Sequence, residues 1–466
     1  MIDMVDGKLI EFIEEEIPKL MRETKTPGLS IAVLREKEVI YAEGFGARNV
    51  ELNLPATPNT LYGIGSCTKS FTALAIMQLA EKKLLNIDDP VEKYVPLKIK
   101  SKGKSITIHN LLTHTSGLPS LGTAVILIAR MAGIGEKWIP MSSMDDFYRH
   151  LNGAEREVVD EPGKRFFYFN AGYTILGDII EKVSGKPYEE YIQENILTPL
   201  EMERTTFLKE KFEREEDKMT PYWKSKEGKL IPSKHPFHKL IYAPGGLLSS
   251  VMELTNYLKM NIEEGKFRGR VIVKPESIRE MQRIYVEMPR KTYYGREGYG
   301  YGWGIVENFL GEKMVEHGGS TGVSSAYLAF LPKSRVGVAM ASNTSGFPYS
   351  IVAQAIFAIL LGKDPEKTIP PIRIRRRLNM LAGIYETYKG ISRVKVVNRG
   401  GILFIERRDE FAEMNIPIIP EDLKLESYKF SIISNGIKTP VEFQVKSPEE
   451  IDLIIERNVF HKVRSK

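Results

Sequence analysis

The sequence runs to 466 residues, 42% of them hydrophobic, which is enough chain for two or three domains and too apolar for wholesale disorder. Its 66 basic and 60 acidic residues leave a net charge of +6, too small an excess at this size to mark a nucleic-acid binder. A single cysteine, Cys67, excludes an internal disulfide. The longest apolar run, 124–134, is broken by Arg130 and is too short to cross a bilayer.

The acidic first residues lack the apolar stretch of a secretory signal, so a cytoplasmic protein is expected. Few glutamines and many lysines and glutamates suggest a heat-adapted one. Leu9, Ile10, Ile13, Ile17, Leu20 and Met21 recur at helical spacing and predict an amphipathic first helix, ended by Pro27-Gly28. Segments 29–34 and 39–45 predict a hairpin around a polar turn.

The next stretch, Gly63-Ile64-Gly65-Ser66-Cys67-Thr68-Lys69-Ser70, opens a segment, 71–80, that is apolar on all sides and therefore reads as a buried helix. Two glycines let the chain turn sharply ahead of it. Ser66 then stands at a helix N-terminus, where free N–H groups favour developing negative charge. Lys69, three residues on, shares its face. A hydroxyl beside a desolvated amine is an activated nucleophile. Ser101/Lys104 and Ser392/Lys395 repeat the spacing, but in polar, turn-rich surroundings. Cys67 reads as a small buried apolar residue, since no histidine is tied to it by sequence.

Segment 106–119 mixes a short helix with a turn. Its His109 and His114 lack metal-ligand spacing and a supporting Cys or carboxylate cluster, so no metal is expected, and His114 is expected to pin the turn by local hydrogen bonds. A loop from Glu161-Pro162-Gly163 reaches Tyr168-Phe169-Asn170, followed by helices at 173–183 and 188–196. Ser250 is a candidate N-cap for a helix over 251–262. Strands at 303–307, 313–317, 325–331 and 336–342 imply an antiparallel meander, covered by a last helix at 350–361. The arrangement is α+β.

Residues 362–377, including the basic run 373–377, read as a solvated linker. Beyond them come eight short strand candidates, at 384–388, 394–397, 402–406, 416–419, 430–433, 440–445, 451–455 and 459–463, with Asn435-Gly436 as a hairpin turn. Their even spacing predicts a small closed barrel, with Ile402, Phe404, Ile416, Ile432 and Ile454 available to its inner face and charge on its outside.

Gly318-Gly319-Ser320-Thr321-Gly322 fits the Gly-x-Ser-x-Gly elbow, which needs a helix after the serine; here a strand follows, so Ser320 is rejected as nucleophile. The same stretch has a different use. Two glycines on an edge strand let a substrate backbone approach and pair. The N–H groups of Ser66 and Ser320 could form an oxyanion hole.

Three elements thus stand in order: Ser66-Cys67-Thr68-Lys69, Tyr168-Phe169-Asn170 and His317-Gly318-Gly319. Together they resemble the serine β-lactamase and penicillin-binding protein superfamily, in particular the class C β-lactamase-like branch with its D,D-peptidases, D-aminopeptidases and esterases. The resemblance implies a β-lactamase-like catalytic domain, an antiparallel sheet flanked by helices plus a helical region. It implies Ser66 as the acylated nucleophile, with Lys69 and Tyr168 sharing proton transfer; which of the two is the base stays open. Asn170, His317, Gly319 and Ser320 would bind substrate, and no cofactor is needed. His317 stands where many members have a lysine. An imidazole is largely neutral at neutral pH, which leaves peptide and ester substrates both open.

The C-terminal part looks like the lipocalin-like barrel appended to some members, and the whole layout is similar to that of archaeal self-compartmentalising serine peptidases acting on peptides with D-amino acids. The expectation is therefore a hydrolase domain at 1–362, a linker at 363–377 and a barrel at 378–466. The barrel would join subunits into a homo-oligomer and narrow access to Ser66. The function expected is a peptidase on small peptides. The alternatives are a carboxylesterase or β-lactamase-type hydrolase, and a slowly acylated penicillin-binding sensor without turnover. Neither nucleic acid nor membrane is expected as a partner.

Overall fold

A computed structural model describes residues 2–131, 139–289, 293–408 and 413–463. The chain divides into two compact units, Met1–Leu361 and Gly362–Lys466.

The first unit is built on a nine-stranded antiparallel sheet. From one edge to the other its strands are Val286–Glu287, Glu297–Tyr299, Gly304–Phe309, Glu312–Ser320, Ser325–Leu331, Val336–Ser342, Gly28–Arg35, Glu38–Asn49 and Leu54–Pro55. The central strands are buried on both faces. Side chains alternate across a strand, so Ala32, Leu34, Leu328, Phe330, Ala339 and Ala341 join one large core with the helices Thr68–Glu81, Asn170–Ser184 and Val251–Ile262. The intervening Ile31, Val33, Val338 and Met340 are equally buried. The helices Ile2–Thr24 and Tyr349–Leu360 pack on each other and on strands of this sheet. The meander and its covering helix thus form where alternation predicts them, and Ser250 caps its helix by accepting the Glu253 N–H at 3.2 Å.

Two glycines set the distance between the sheet and the helical side. Gly65 has φ +52°, and a Cβ there would lie 2.4 Å from the Ser320 nitrogen; a Cβ on Gly319 would lie 1.9 Å from the Ile64 oxygen. Only backbone without side chains can meet this closely.

The second unit is a closed barrel of eight antiparallel strands, Gly383–Glu386, Arg393–Arg399, Ile402–Arg408, Glu413–Pro420, Lys429–Ser434, Ile437–Ser447, Glu450–Ile455 and Asn458–Lys462. Two expectations need correction. Residues 363–377 are not an extended linker. They carry the helical turn Pro365–Thr368 and most of the helix Pro370–Leu381, whose Leu378 and Leu381 join the barrel core. Prolines at the first positions start a helix rather than break it, since the N–H they lack has no partner there.

The inner face was also misassigned by one residue in two strands, Ile402–Arg408 and Glu450–Ile455. Leu403, Ile405, Ile418, Phe430, Val441, Phe443, Ile451 and Leu453 form the core. Ile402 is 42% exposed, and Phe404 and Ile454, each next to a core residue, are only partly buried, whereas Ile416, paired with Ile405, and Ile432, packed against the core, lie on the inner face as expected. A shift of one position moves a whole strand's side chains to the other face, and runs such as 402–405 are apolar on both.

Candidate active site

From Leu61 to Leu79 every residue is buried except Ser66. Ser66 lies in the 3-10 turn Gly65–Cys67, which runs directly into the helix Thr68–Glu81. The turn is held from both sides. Thr68 Oγ1 donates to the Gly65 carbonyl at 2.7 Å and accepts from Leu247 N–H at 3.2 Å. The Ile64 N–H donates to Leu247 O at 2.9 Å. Cys67 points away from solvent and donates to the His317 carbonyl at 3.1 Å. Burial pushes its thiol up to about 12, so it is inert at neutral pH.

Lys69 is fully buried. Its Nζ lies 3.0 Å from Ser66 Oγ, 2.8 Å from Asn170 Oδ1 and 2.6 Å from the Pro244 carbonyl. Burial pulls its pKa well below the ordinary lysine value. Asn170 is the first residue of the helix Asn170–Ser184, which places its side chain at the open end of that helix. Tyr168, two residues earlier and partly exposed, has its ring centre 4.9 Å from Lys69 Nζ. Burial raises its phenol above the usual range, and a hydrogen bond with Ser66 works against that rise.

His317 belongs to the strand Glu312–Ser320 and is 7% exposed. Pairing with the strand Gly304–Phe309 ends at Glu316, while 317–320 stay paired with Ser325–Leu331 on the other side. The glycines therefore do lie on a local edge, and this edge faces the Ser66 turn. The His317 ring has Nδ1 2.7 Å from the Gly318 carbonyl and Nε2 2.8 Å from the Tyr299 hydroxyl. A carbonyl only accepts, so Nδ1 carries the proton and Nε2 accepts from Tyr299. Burial first, and then Lys69, lower the His317 pKa to about 3. The ring is neutral, and both its nitrogens are engaged within the protein.

Lys69, Tyr168, Asn170 and the stretch 317–320 thus come together around Ser66. Three further contributors were not legible in the sequence. Pro244 supplies a carbonyl, for which no side-chain motif exists. Tyr299 lies four residues ahead of the first strand expected at 303–307 and bonds to His317 only in the folded sheet. His114 pins more than its own turn: its Nδ1 accepts the Phe169 N–H at 3.0 Å. His109 is engaged elsewhere, with Nδ1 2.8 Å from the Tyr301 hydroxyl. Among the described residues no group of three or more His, Cys, Asp or Glu side chains is placed to hold a metal ion, and no helix is long and apolar enough to cross a membrane.

Residues 13–361 match the family described as Beta-lactamase, and residues 365–461 match the Pab87 octamerisation domain. The chain is similar to protein flp of Staphylococcus aureus strain MW2, 28% identical over 68% of this chain but spanning only 59% of that relative's length. The octameric penicillin-binding protein homologue from Pyrococcus abyssi is similar throughout, 46% identical with a TM-score of 0.91, covering 98% of this chain and 99% of that one. A penicillin binding protein from Bacillus halodurans, 24% identical with a TM-score of 0.61 over 73% of this chain and 99% of that one, shares the fold.

Proposed function

The chain belongs to the Beta-lactamase family, and from that premise we propose that it is a serine hydrolase working through an acyl-enzyme on Ser66. The observation that carries the reading is the set of contacts around Lys69. Two of its three neighbours, Asn170 Oδ1 and the Pro244 carbonyl, can only accept. A neutral amine has two N–H groups, which they use, and one lone pair, which then faces Ser66 Oγ at 3.0 Å. Lys69 is therefore the general base for Ser66. The raised Tyr168 phenol stays protonated and is suited to hand a proton to the leaving group.

The acyl carbonyl oxygen would lie between the Ser66 and Ser320 N–H groups, with the substrate chain along the free edge at 317–320 and Gly319 leaving room for it. Water then attacks the acyl-enzyme and loses a proton to the Tyr168 phenolate, while the Lys69 ammonium gives back to Ser66 Oγ the proton it took. Asn170 holds Lys69 and can turn its amide N–H₂ toward substrate. His317 acts from behind, fixing the strand through Tyr299.

The substrate class proposed is small peptides, including those with D-amino acids. A neutral His317 with no free donor offers no fixed positive charge to a terminal carboxylate, so a peptide cleaved near its N-terminus suits the site better than one cleaved next to its C-terminus. The same neutrality favours a second reading, an esterase. A panel of p-nitrophenyl esters, a cephalosporin, and D- and L-amino-acid peptides separates the two: rapid ester cleavage with inert peptides reverses the preference. The acyl-enzyme itself is tested by mapping a fluorophosphonate adduct by mass spectrometry. It should sit on Ser66, and Ser66→Ala should abolish turnover; an adduct elsewhere or full turnover by that variant removes the assignment.

The homologue from Pyrococcus abyssi is described as octameric. For this chain we propose a homo-oligomer formed through the barrel unit, on whose outside Ile402, Ile419 and Ile433 are exposed. Ending the chain after Leu361 removes the whole unit without cutting the helix Pro370–Leu381. An unchanged mass by light scattering, with unchanged preference for short peptides, would remove both roles from the barrel.

A further inference from the structure

His114 follows the short helix Ile108–Leu112 and has φ +59°, a conformation that histidine, asparagine and aspartate tolerate better than most residues. Its carbonyl accepts the Phe167 N–H at 2.8 Å and its Nδ1 accepts the Phe169 N–H at 3.0 Å. These two bonds bracket Tyr168. The His114 and Tyr168 rings lie 4.3 Å apart, with Tyr299 and Tyr173 at 4.8 and 5.2 Å from the imidazole.

The ring is completely buried, and burial foremost pushes it toward the neutral form. Since Nδ1 accepts, the proton is on Nε2, which has no hydrogen-bond partner. An unpartnered buried donor is costly. An apolar side chain in the same space would avoid that cost, but it would leave the Phe169 N–H without its acceptor. What histidine adds here is the grip on the loop that carries Tyr168 and Asn170.

We propose that His114 is a positioning residue for Tyr168: it holds the 167–169 backbone and the phenol ring so that the Tyr168 hydroxyl stays on Ser66. The proposal rests on the reading of Tyr168 as the proton-transfer group. It predicts coupling between two side chains, not a general loss of fold.

The test is a double-mutant cycle on the full-length protein with an alkyl ester, whose leaving group needs a proton. Tyr168→Phe should lower kcat by roughly 100-fold or more. His114→Ala should lower it by roughly 10- to 100-fold with little change in KM, and by less than about 3-fold when added to Tyr168→Phe. His114→Asn, whose Oδ1 can replace Nδ1 and which tolerates the same backbone, should stay within about 5-fold of wild type. A p-nitrophenyl ester, with its better leaving group, should be affected less by His114→Ala than the alkyl ester is. Equal losses from His114→Ala in both backgrounds overturn the proposal, as does a His114→Asn enzyme as slow as Tyr168→Phe. Should His114→Ala fail to fold, His114→Asn decides the matter on that second criterion. Full turnover by Tyr168→Phe would instead overturn the role of Tyr168 itself, and this proposal with it, so the two failures are distinguishable.

Discussion

The two units bury side chains by opposite rules. In 383–462 the rule is plain alternation: the closed barrel turns Leu403, Ile405, Phe430, Phe443 and Leu453 inward, and its single histidine, His461, is exposed and bonded to Asp452 at 2.7 Å. In 1–361 the core beside Ser66 contains a lysine and three histidines, Lys69, His114, His235 and His317, each at most 7% exposed. Burying such groups is unfavourable unless they are neutral or fully bonded. Burial lowers the pKa of all four. The barrel is thus built for cohesion, whereas the larger unit accepts unfavourable burial around the partly exposed Ser66, which shifts all four groups toward their neutral forms.

The contrast can be broken most forcefully at its centre. Lys69→Met keeps the apolar stem and removes the amine; turnover should fall by roughly a thousand-fold or more, with the secondary structure seen by circular dichroism unchanged. Gly319→Ala comes next. Its new Cβ must displace the Ile64 carbonyl, which should cost roughly 2–4 kcal/mol in urea unfolding and lower activity at the same time by moving the strand off Ser66. In the barrel, Leu403→Ala should cost about 2–5 kcal/mol, whereas Ile402→Ala, one residue away on the outer face, should cost under about 1 kcal/mol. Equal effects at 402 and 403 would contradict the inner face described above.

A further effect is read as a slope. His235 and His317 are depressed from 6.5 to about 3. Below pH 6.5 the unfolded chain takes up protons at both and the folded unit does not until about pH 3, so stability is full above 6.5 and falls as the pH drops toward 3. The expected loss is on the order of 1.4 kcal/mol per pH unit for each histidine. All three tryptophans lie before residue 362, so tryptophan fluorescence in urea at pH 7 and pH 5 reads the larger unit alone.

Sequence legibility followed the same divide. Ser66, Lys69, Tyr168 and His317 were found because reactive side chains at fixed offsets leave a mark in the sequence. The eight barrel strands were found because their turns do. What escaped were features with no side-chain signature: the Pro244 carbonyl on Lys69, and the helix that starts at Pro370 inside a proline-rich stretch. The inner face of the strands at 402–408 and 450–455 escaped because runs such as 402–405 are apolar on both sides, leaving no alternation to read. The Tyr299–His317 and His114–Phe169 bonds join residues 18 and 55 positions apart, and only the folded sheet and turn bring them together.

The most direct measurement is the pH dependence of kcat/KM on an uncharged ester, in wild type and in Lys69→Met. With a neutral, buried Lys69 as base, the wild-type rate should rise with a one-proton slope and level off well below the 10.5 of an ordinary lysine, and this limb should vanish in the variant. A wild-type rate still climbing through pH 10, as an ordinary lysine or the raised Tyr168 phenol would require, would contradict it.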